Sequence, residues 1–243
     1  METVTIHLES VDSTNTYAKQ HASTFASDKI TCITAEEQTA GRGRFQRHWI
    51  SPKSVNLYAT FCFHLPAQSL HLTSLGQVMA ASVATLLIKE GLQPKIKWPN
   101  DVQLQGKKVS GVLCETQFHE KTVHVFLGVG INVNMEIEAL KQIDQPATSL
   151  KVESGKTWDR KTLLRQLQTQ FAHDLARFKK EGFAPFHELF EKLLAYKGET
   201  IRCFDGKQTW EGVCHSLNSE GQLKLLMPDG HTRIIIAGDV KNY

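Results

Sequence analysis

Charge is missing over a long stretch: between Lys53 and Lys89 the chain has no Asp, Glu, Lys or Arg. A segment of that kind is either interior or lipid-facing. Pro66, Gln68, His71 and Gln77 interrupt it, and its cleanest apolar part falls short of the roughly 20 residues a membrane span needs. It therefore reads as an interior strand followed by an interior helix. Cysteine is scarce and odd in number. The five, Cys32, Cys62, Cys114, Cys203 and Cys214, include no C-x-x-C pair, which argues against a disulfide framework or a thiolate metal site. Cys32, Cys62 and Cys114 sit among apolar, strand-like neighbours, as buried free thiols do in a reducing compartment, so a cytoplasmic address is expected. The N-terminal segment has no basic run leading into an apolar stretch and does not read as a secretory signal. No G-x-x-x-x-G-K-[ST] occurs, and the G-x-G at Gly128 and Gly130 lacks the third glycine, following helix and acidic residue of a dinucleotide site, which excludes Walker and Rossmann readings. Nor is one charge in excess: 28 basic against 25 acidic residues leave +3, too little for a surface that binds duplex nucleic acid.

What remains is a chain of 243 residues, 41% hydrophobic and 22% charged, with room for one large core and a small module. Against that even background, Gly41-Arg42-Gly43-Arg44-Phe45-Gln46-Arg47-His48-Trp49 puts three arginines and two glycines into nine residues. Glycine lets backbone approach a ligand and reach φ > 0, and the planar guanidinium matches phosphate or carboxylate oxygens in pairs. The segment is an anion-gripping loop in one reading and a solvated basic loop in another. Its interleaved aromatics allow a third, a nucleic-acid footprint.

Val4 to Leu8 alternates like a strand, and Asp12-Ser13-Thr14-Asn15 is rich in helix-capping side chains, which predicts a short helix there. Thr31 to Thr34 and Asn56 to Phe63 read as strands flanking the arginine loop. Leu72, Leu75, Val78, Met79, Val83, Leu86 and Leu87 recur at helical spacing and predict a core helix ending near Gly91. Strands follow around Lys95 to Trp98, Val109 to Thr116 and Thr122 to Val133. Two helices come next, the first with Leu163, Leu164, Leu167, Phe171, Leu175 and Phe178 on one face, the second over Phe183 to Tyr196. From Gly198 onward short strands are broken by Asp205-Gly206, Ser219-Glu220-Gly221 and Pro228-Asp229-Gly230, each a turn signal. The pattern predicts an α+β fold: a mixed sheet with packed helices over residues 1–197 and a small β-barrel over 198–243.

Lys97-Trp98-Pro99-Asn100-Asp101 sets a cation, an indole, a rigid bend and a carboxylate between two apolar strands. Proline fixes φ and restricts the residue before it, so Lys97 and Asp101 are held at defined places around a turn. Lys107-Lys108-Val109-Ser110-Gly111 follows Gly106, and a hairpin from Val102 to Val112 would return Lys108 toward Asp101. The bland alternative is a turn with an exposed ion pair and a lysine-bearing hairpin tip. Glycines inside the apolar strand that closes with Gly128-Val129-Gly130-Ile131-Asn132 mark a close approach of backbone or ligand. His119 and His124 read as isolated, and no cluster has metal-ligand spacing.

Taken in this order, Asp12-Ser13-Thr14-Asn15, Gly41-Arg42-Gly43-Arg44, Lys97-Trp98-Pro99-Asn100-Asp101, Lys108-Val109-Ser110-Gly111 and Gly128-Val129-Gly130-Ile131-Asn132 resemble the biotin protein ligases. The resemblance covers nearly the whole chain, since Ala237-Gly238-Asp239-Val240 is similar to that family's SH3-like C-terminal barrel. It implies a class II aminoacyl-tRNA-synthetase-like catalytic fold. Family members that also repress transcription carry an N-terminal winged helix-turn-helix. Asp12 comes too early here to leave room for one, so the monofunctional type is expected. The implied reaction joins biotin and ATP into biotinyl-5'-AMP with release of pyrophosphate, then moves biotin to a specific lysine of the biotin carboxyl carrier protein of acetyl-CoA carboxylase. Biotin is then the substrate, ATP with Mg2+ the co-substrate and the carrier the partner. Neither DNA nor a membrane is expected as a partner, and a homodimer is compatible with the resemblance.

Arg42, Arg44 and Lys108 would offset the repulsion between a carboxylate and an α-phosphate. The acceptor lysine, with an ordinary pKa of about 10.4, is neutral in roughly one molecule in a few thousand at pH 7. Asp101 is the candidate base or orienter for that step, so Lys108, Asp101 and Arg44 form the expected catalytic set. By similarity Ser13, Thr14 and Gln38, with Asn15, Gly41 and Arg42, hold biotin, whose ureido ring needs matched donors and acceptors. Gly111 and Gly130 let backbone pack on its rings. Arg42, Arg44, Arg47, Trp49, Lys97, Asn100, Lys108 and Asn132 are expected on the nucleotide side. No protein ligand to magnesium is assigned, because that ion keeps waters while bridging phosphates. One position departs from the family: in G-R-G-R-x-G-R-x-W, Gln46 stands where the third glycine belongs. If φ > 0 is needed there, Gln46 carries strain of about 1 kcal/mol or more. No adenine-stacking aromatic stands out between Met135 and Lys156.

Two other functions fit parts of the chain. A lipoate or octanoate ligase of the same superfamily would bind a linear acyl chain, and the polar set Ser13, Thr14 and Gln38 argues against that. A nucleic-acid-binding module would use the arginine loop and the barrel, with only Phe204, Trp210 and Tyr243 available in the tail for stacking.

Overall fold

The computed structural model describes residues 1–68 and 72–242; His71 and Tyr243, named above, lie outside them. The chain opens with β1 (Thr3–Val11), α1 (Thr14–Gln20) and β2 (Ile30–Gln38) and passes through the arginine loop. It continues through β3 (Leu57–Pro66), α2 (Leu75–Lys89), β4 (Pro94–Lys97), β5 (Asp101–Leu104), β6 (Lys107–Phe118) and β7 (Thr122–Ile131). Among the described residues these strands form one seven-stranded sheet in the order β1-β2-β3-β7-β6-β5-β4, parallel between β1 and β2 and antiparallel elsewhere. Two short helices, α3 (Ile137–Leu140) and α4 (Leu150–Ser154), lead to α5 (Arg160–Glu181) and α6 (Ala184–Leu193). The rest is a five-stranded antiparallel sheet of β8 (Thr200–Phe204), β9 (Thr209–Leu217), β10 (Leu223–Leu226), β11 (Thr232–Ile235) and β12 (Asp239–Asn242), in the order β11-β10-β9-β8-β12. The fold is α+β with a small SH3-like sheet at its C-terminal end.

Strand alternation divides the large sheet into two jobs. β3 sends Leu57, Ala59, Phe61 and Phe63 into the main core with α2 and α5, where the Phe61 ring meets Phe171 edge-on. Its other face carries Tyr58, Thr60 and Cys62; Cys62 packs with Ala18 and Ala22 of the α1 region, Ile33 and Phe126. The stretch Leu72–Lys89 is long and apolar enough to cross a membrane by length and composition, at a mean hydropathy of 1.4, yet 72% of it is buried inside the fold. The charge-free stretch is thus an interior strand and a core helix. All five cysteines are free, and burial, the largest influence on each, pushes their thiols up to about 12, which leaves them unreactive near neutral pH.

The β5–β6 turn is two residues, Gln105 and Gly106, with φ of 49° and 72°, the hand that suits tight hairpins. The small sheet is keyed to the large one at Gly221, whose carbonyl accepts from Gln77 Nε2 at 2.6 Å and Trp98 Nε1 at 3.0 Å. One expectation is corrected. His119 and His124 are not isolated in space: the pairing of His64 with His124 brings three imidazoles together, with centroids 4.0 Å (His64–His124) and 4.3 Å (His119–His124) apart.

Candidate functional site

On the α1 side of the large sheet an open cleft, about 750 Å³ of empty space counting the part open to solvent, runs from the first turn of α1 past the arginine loop to β12. One end is neutral. Gln38 Oε1 accepts from the Thr14 backbone N–H at 2.9 Å and from the Thr14 hydroxyl at 3.2 Å, while Gln38 Nε2 donates to Ser51 Oγ at 3.0 Å. Thr60 Oγ1 lies 2.8 Å from Thr14 Oγ1 and 2.6 Å from Asn15 Oδ1. With one proton it donates to only one of them, so the hydroxyl pair can turn to match either a donor or an acceptor. Ser13 is buried at the N-cap of α1, but its side chain caps nothing.

The floor under these groups is flat because of Gly128 and Gly130. A Cβ on Gly128 would overlap the Asn15 amide, and one on Gly130 would overlap the Trp49 indole, which lies directly on that strand. Neither glycine has positive φ, so close approach, not backbone freedom, requires them. The indole Nε1 is buried with no acceptor among the described residues, a donor that costs about 1–3 kcal/mol if nothing meets it. Arg42 stands at the side, 3.4 Å from Glu115 Oε2; Glu115 also takes Lys19 at 2.8 Å and the Asn15 amide at 2.9 Å. Burial pushes the Glu115 carboxyl up, but these partners outweigh it and hold it below its ordinary value.

The other end is charged. The hairpin brings Lys108 Nζ to 2.8 Å from Asp101 Oδ1, and Lys97 Nζ lies 3.9 Å from Asp101 Oδ2 and 3.7 Å from Asp239 Oδ1. Arg47 donates to Asp239 Oδ2 at 2.5 Å. Charges therefore alternate in sign from Arg47 through Asp239, Lys97 and Asp101 to Lys108. Burial opposes ionisation of Asp239, but its Arg47 hydrogen bond and the charges of Lys97, Arg47 and Arg44 hold its carboxyl below the usual range. Arg44 donates to Asn100 Oδ1 at 3.2 Å and to the Gly238 carbonyl at 2.7 Å; burial lowers its pKa, offset in part by Asp101 and Asp239.

Between the two ends the loop is bent through Phe45 and Gln46, at φ 54° and 58°. The missing third glycine therefore matters, since each left-handed residue costs about 1–2 kcal/mol. The exposed Phe45 ring packs on Phe204, centroids 5.9 Å apart.

Of the residues singled out from sequence, Ser13, Thr14, Asn15, Gln38, Arg42, Arg44, Arg47, Trp49, Asn100, Asp101, Lys108, Gly111 and Gly130 line this cleft. Lys97 lines the adjoining groove. Gly41 sits behind the loop, packed against the Trp49 carbonyl and Ser51. Asn132 is buried away from the cleft, its amide donating to the Thr148 carbonyl at 3.0 Å. Sequence reasoning missed Asp239, which lines the cleft, and Glu115 and Thr60, which stand behind it and hold Arg42, Asn15 and Thr14; all three lie in ordinary-looking strands. For magnesium, Asp101 and Asp239 are each already paired with two cations, and among the described residues no group of three or more His, Cys, Asp or Glu could hold a metal ion. The described residues thus present no preformed cage for it.

Residues 7–132 match the biotin/lipoate A/B protein ligase family. The chain is 32% identical over 232 residues to the bifunctional ligase/repressor BirA of Escherichia coli, covering 95% of this chain and 71% of that protein. It is 31% identical over 215 residues to the biotin--[acetyl-CoA-carboxylase] ligase of Paracoccus denitrificans, covering 86% of this chain and 88% of that one. Its fold matches the biotin protein ligase of Aquifex aeolicus, solved in complex with biotin and ATP, with a TM-score of 0.83 and 33% identity over 98% of this chain and 97% of that one.

Proposed function

The chain belongs to the biotin/lipoate A/B protein ligase family, and on that premise we propose that it activates biotin with ATP to biotinyl-5'-AMP and transfers the biotinyl group to a lysine of a biotin carboxyl carrier protein. One observation carries the reading: a neutral, buried hydrogen-bonding floor and a cluster of cations open into the same cleft. Biotin supplies a ureido group for the first and a carboxylate for the second.

In the first step the biotin carboxylate oxygen attacks the α-phosphorus and pyrophosphate leaves. The ureido ring meets Ser13, Thr14 and Gln38 beside the Trp49 indole that covers Gly130, and Arg42, Arg44 and Lys108 offset the charge building on the phosphate. Magnesium would arrive with the nucleotide and would supply further positive charge to the phosphates; no described residue is assigned to hold it. In the second step the arriving ammonium gives one proton to solvent, the resulting amine attacks the acyl carbon, AMP leaves with the electrons of the acyl–oxygen bond, and the nitrogen's remaining excess proton also passes to solvent. Asp101, held between Lys97 and Lys108, orients Lys108 and presents the negative charge that draws the arriving ammonium. The remaining nucleotide contacts fall to Arg47, Trp49, Asn100 and Lys97. Residues 1–197 then do the chemistry and 198–243 form the appended barrel. A cytoplasmic address agrees with five free thiols. The reading requires neither DNA, a membrane nor a second copy of the chain.

A linear lipoyl or octanoyl chain would leave the polar floor unmatched. The nucleic-acid reading is less favoured, because Arg44 and Arg47 are already engaged by Gly238 and Asp239 at one end of the cleft. The test is biotin-dependent exchange of labelled pyrophosphate into ATP. Exchange with biotin and none with lipoate or octanoate is expected. No exchange, together with no heat on titrating biotin in calorimetry, would overturn the proposal.

A further inference from the structure

The cation end of the cleft is gripped from outside the large sheet. Three contacts join the arginine loop to the small sheet: Arg44 to the Gly238 carbonyl, Arg47 to Asp239, and the Phe45 ring to Phe204. Asp239 is only 8% exposed, and its second oxygen faces Lys97 at 3.7 Å. The loop it holds passes through two non-glycine residues in the left-handed region, and such conformations persist only where surrounding contacts over-determine them.

We propose that Asp239 is a positioning residue: through Arg47 and Lys97 it fixes the arginine loop over the cleft before nucleotide arrives, so that the triphosphate meets preset cations. The inference rests on the reading that the cleft takes ATP. Donor arithmetic supports it. A guanidinium has five N–H donors, and Arg47 gives one to Asp239 while Arg44 gives one each to Asn100 and Gly238. The clamp thus holds both heads while most of their donors stay available to phosphate oxygens. Setting the groups in advance lowers the ordering cost at binding.

A merely structural role, tying the small sheet to the large one, makes a different prediction. That junction is separately keyed where Gln77 and Trp98 meet Gly221, so losing the Asp239 charge should loosen the loop and leave the small sheet seated. The loop carries its own reporters, since trypsin cuts after Arg42, Arg44 and Arg47. In Asp239→Asn, nicking within residues 42–47 is expected to quicken roughly tenfold with little change in Tm. KM for ATP in biotin-dependent pyrophosphate exchange should rise roughly tenfold, with kcat and biotin affinity much less affected. Arg47→Gln, which breaks the same ion pair and also removes a phosphate donor, should raise KM for ATP at least as much, with nicking read after Arg42 and Arg44, and the double variant should be little worse than Arg47→Gln alone, because the shared pair is then already broken. Unchanged nicking, faster nicking with a wild-type KM, or additive losses would overturn the inference. Absence of exchange in the unmodified protein would remove the ligase reading and, with it, the role toward ATP, while the nicking rates would still decide whether the clamp exists.

Discussion

At one end of the cleft Thr14, Asn15, Gln38 and Thr60 face one another from the first turn of α1 and two adjacent strands; at the other Arg47, Asp239, Lys97, Asp101 and Lys108 alternate in sign across a loop and four strands. The first set is neutral, buried and fixed by neighbours in the sheet. It discriminates by mismatch, since a buried group left unpaired costs about 1–3 kcal/mol. The second set is made of ion pairs that can trade a carboxylate for a phosphate. Such pairs choose poorly between anions but stabilise charge where it develops. Selecting the acid and driving its activation are thus assigned to different parts of one cavity, and substitutions should separate them.

The largest effect should come from Lys108→Ala. Removing this cation should slow adenylate formation by about 10²–10³-fold while the heat of biotin binding persists. Single-turnover measurement of the two steps checks this, and a defect confined to transfer would break the division of labour. Next is Gly130→Ala, which forces the Trp49 indole off the floor. Overpacking of this kind costs about 1–3 kcal/mol, so biotin affinity should fall roughly 10–100-fold in calorimetry. At Gly111 the nearest atoms to an added methyl belong to the flexible end of Lys108, and Gly111→Ala should be milder. Arg44→Gly removes the ties to Asn100 and Gly238. The mixed anhydride should then escape roughly tenfold faster and label nearby amines, and its retention in a gel-filtration trap measures this directly.

The two ends were not equally legible in the sequence. Gly128 and Gly130 announce a close approach, but only the folded chain reveals that Asn15 and Trp49 make it. The hairpin that returns Lys108 to Asp101 could be read from Gly106 and the flanking apolar residues, but the register shift between Val102 and Gln103, which sets Asp101 opposite Gly111, could not. Nor could Asp239, because its partner Arg47 lies 192 positions away, and a lone Asp in the last strand resembles any surface residue. Long periodic helices such as α2 and α5 were readable for the opposite reason, carrying their pattern over several turns. The short α3 and α4, with four and five residues, are set by tertiary contacts and left no such pattern.

Strain in the loop links the two ends and can be measured. Gln46→Gly lets φ 58° be adopted freely, a gain of about 1 kcal/mol that the added freedom of the unfolded chain partly cancels. A net Tm rise of roughly 1–2 °C is expected. Phe45→Gly relieves a similar angle but gives up the ring contact with Phe204, so it should gain nothing. Equal gains from both would mean that this contact contributes little to holding the loop.

The smallest effect, a pH dependence at the far end of the same strands, serves as the control. His64 and His124 pair about 20 Å along β3 and β7 from Tyr58 and Gly130 at a rise of about 3.3 Å per residue. Burial, helped by neighbouring charge (His119 and Lys179 for His64; His64 and His119 for His124) and opposed at His64 by a backbone hydrogen bond at Ser27, holds both imidazoles below their ordinary 6.5. The folded protein therefore keeps them neutral where the unfolded chain would protonate them. Their contribution to stability is intact above pH 6.5 and is lost as pH falls through that value toward the lowered folded pKa values. Tm should drop between pH 7.5 and 5.5, and His124→Gln should flatten that slope without changing biotin affinity at either pH, since the rings stand apart from the cleft. An identical slope in the variant would remove the triad as the cause, and a change in biotin affinity would show that the far end of the sheet and the neutral floor are coupled.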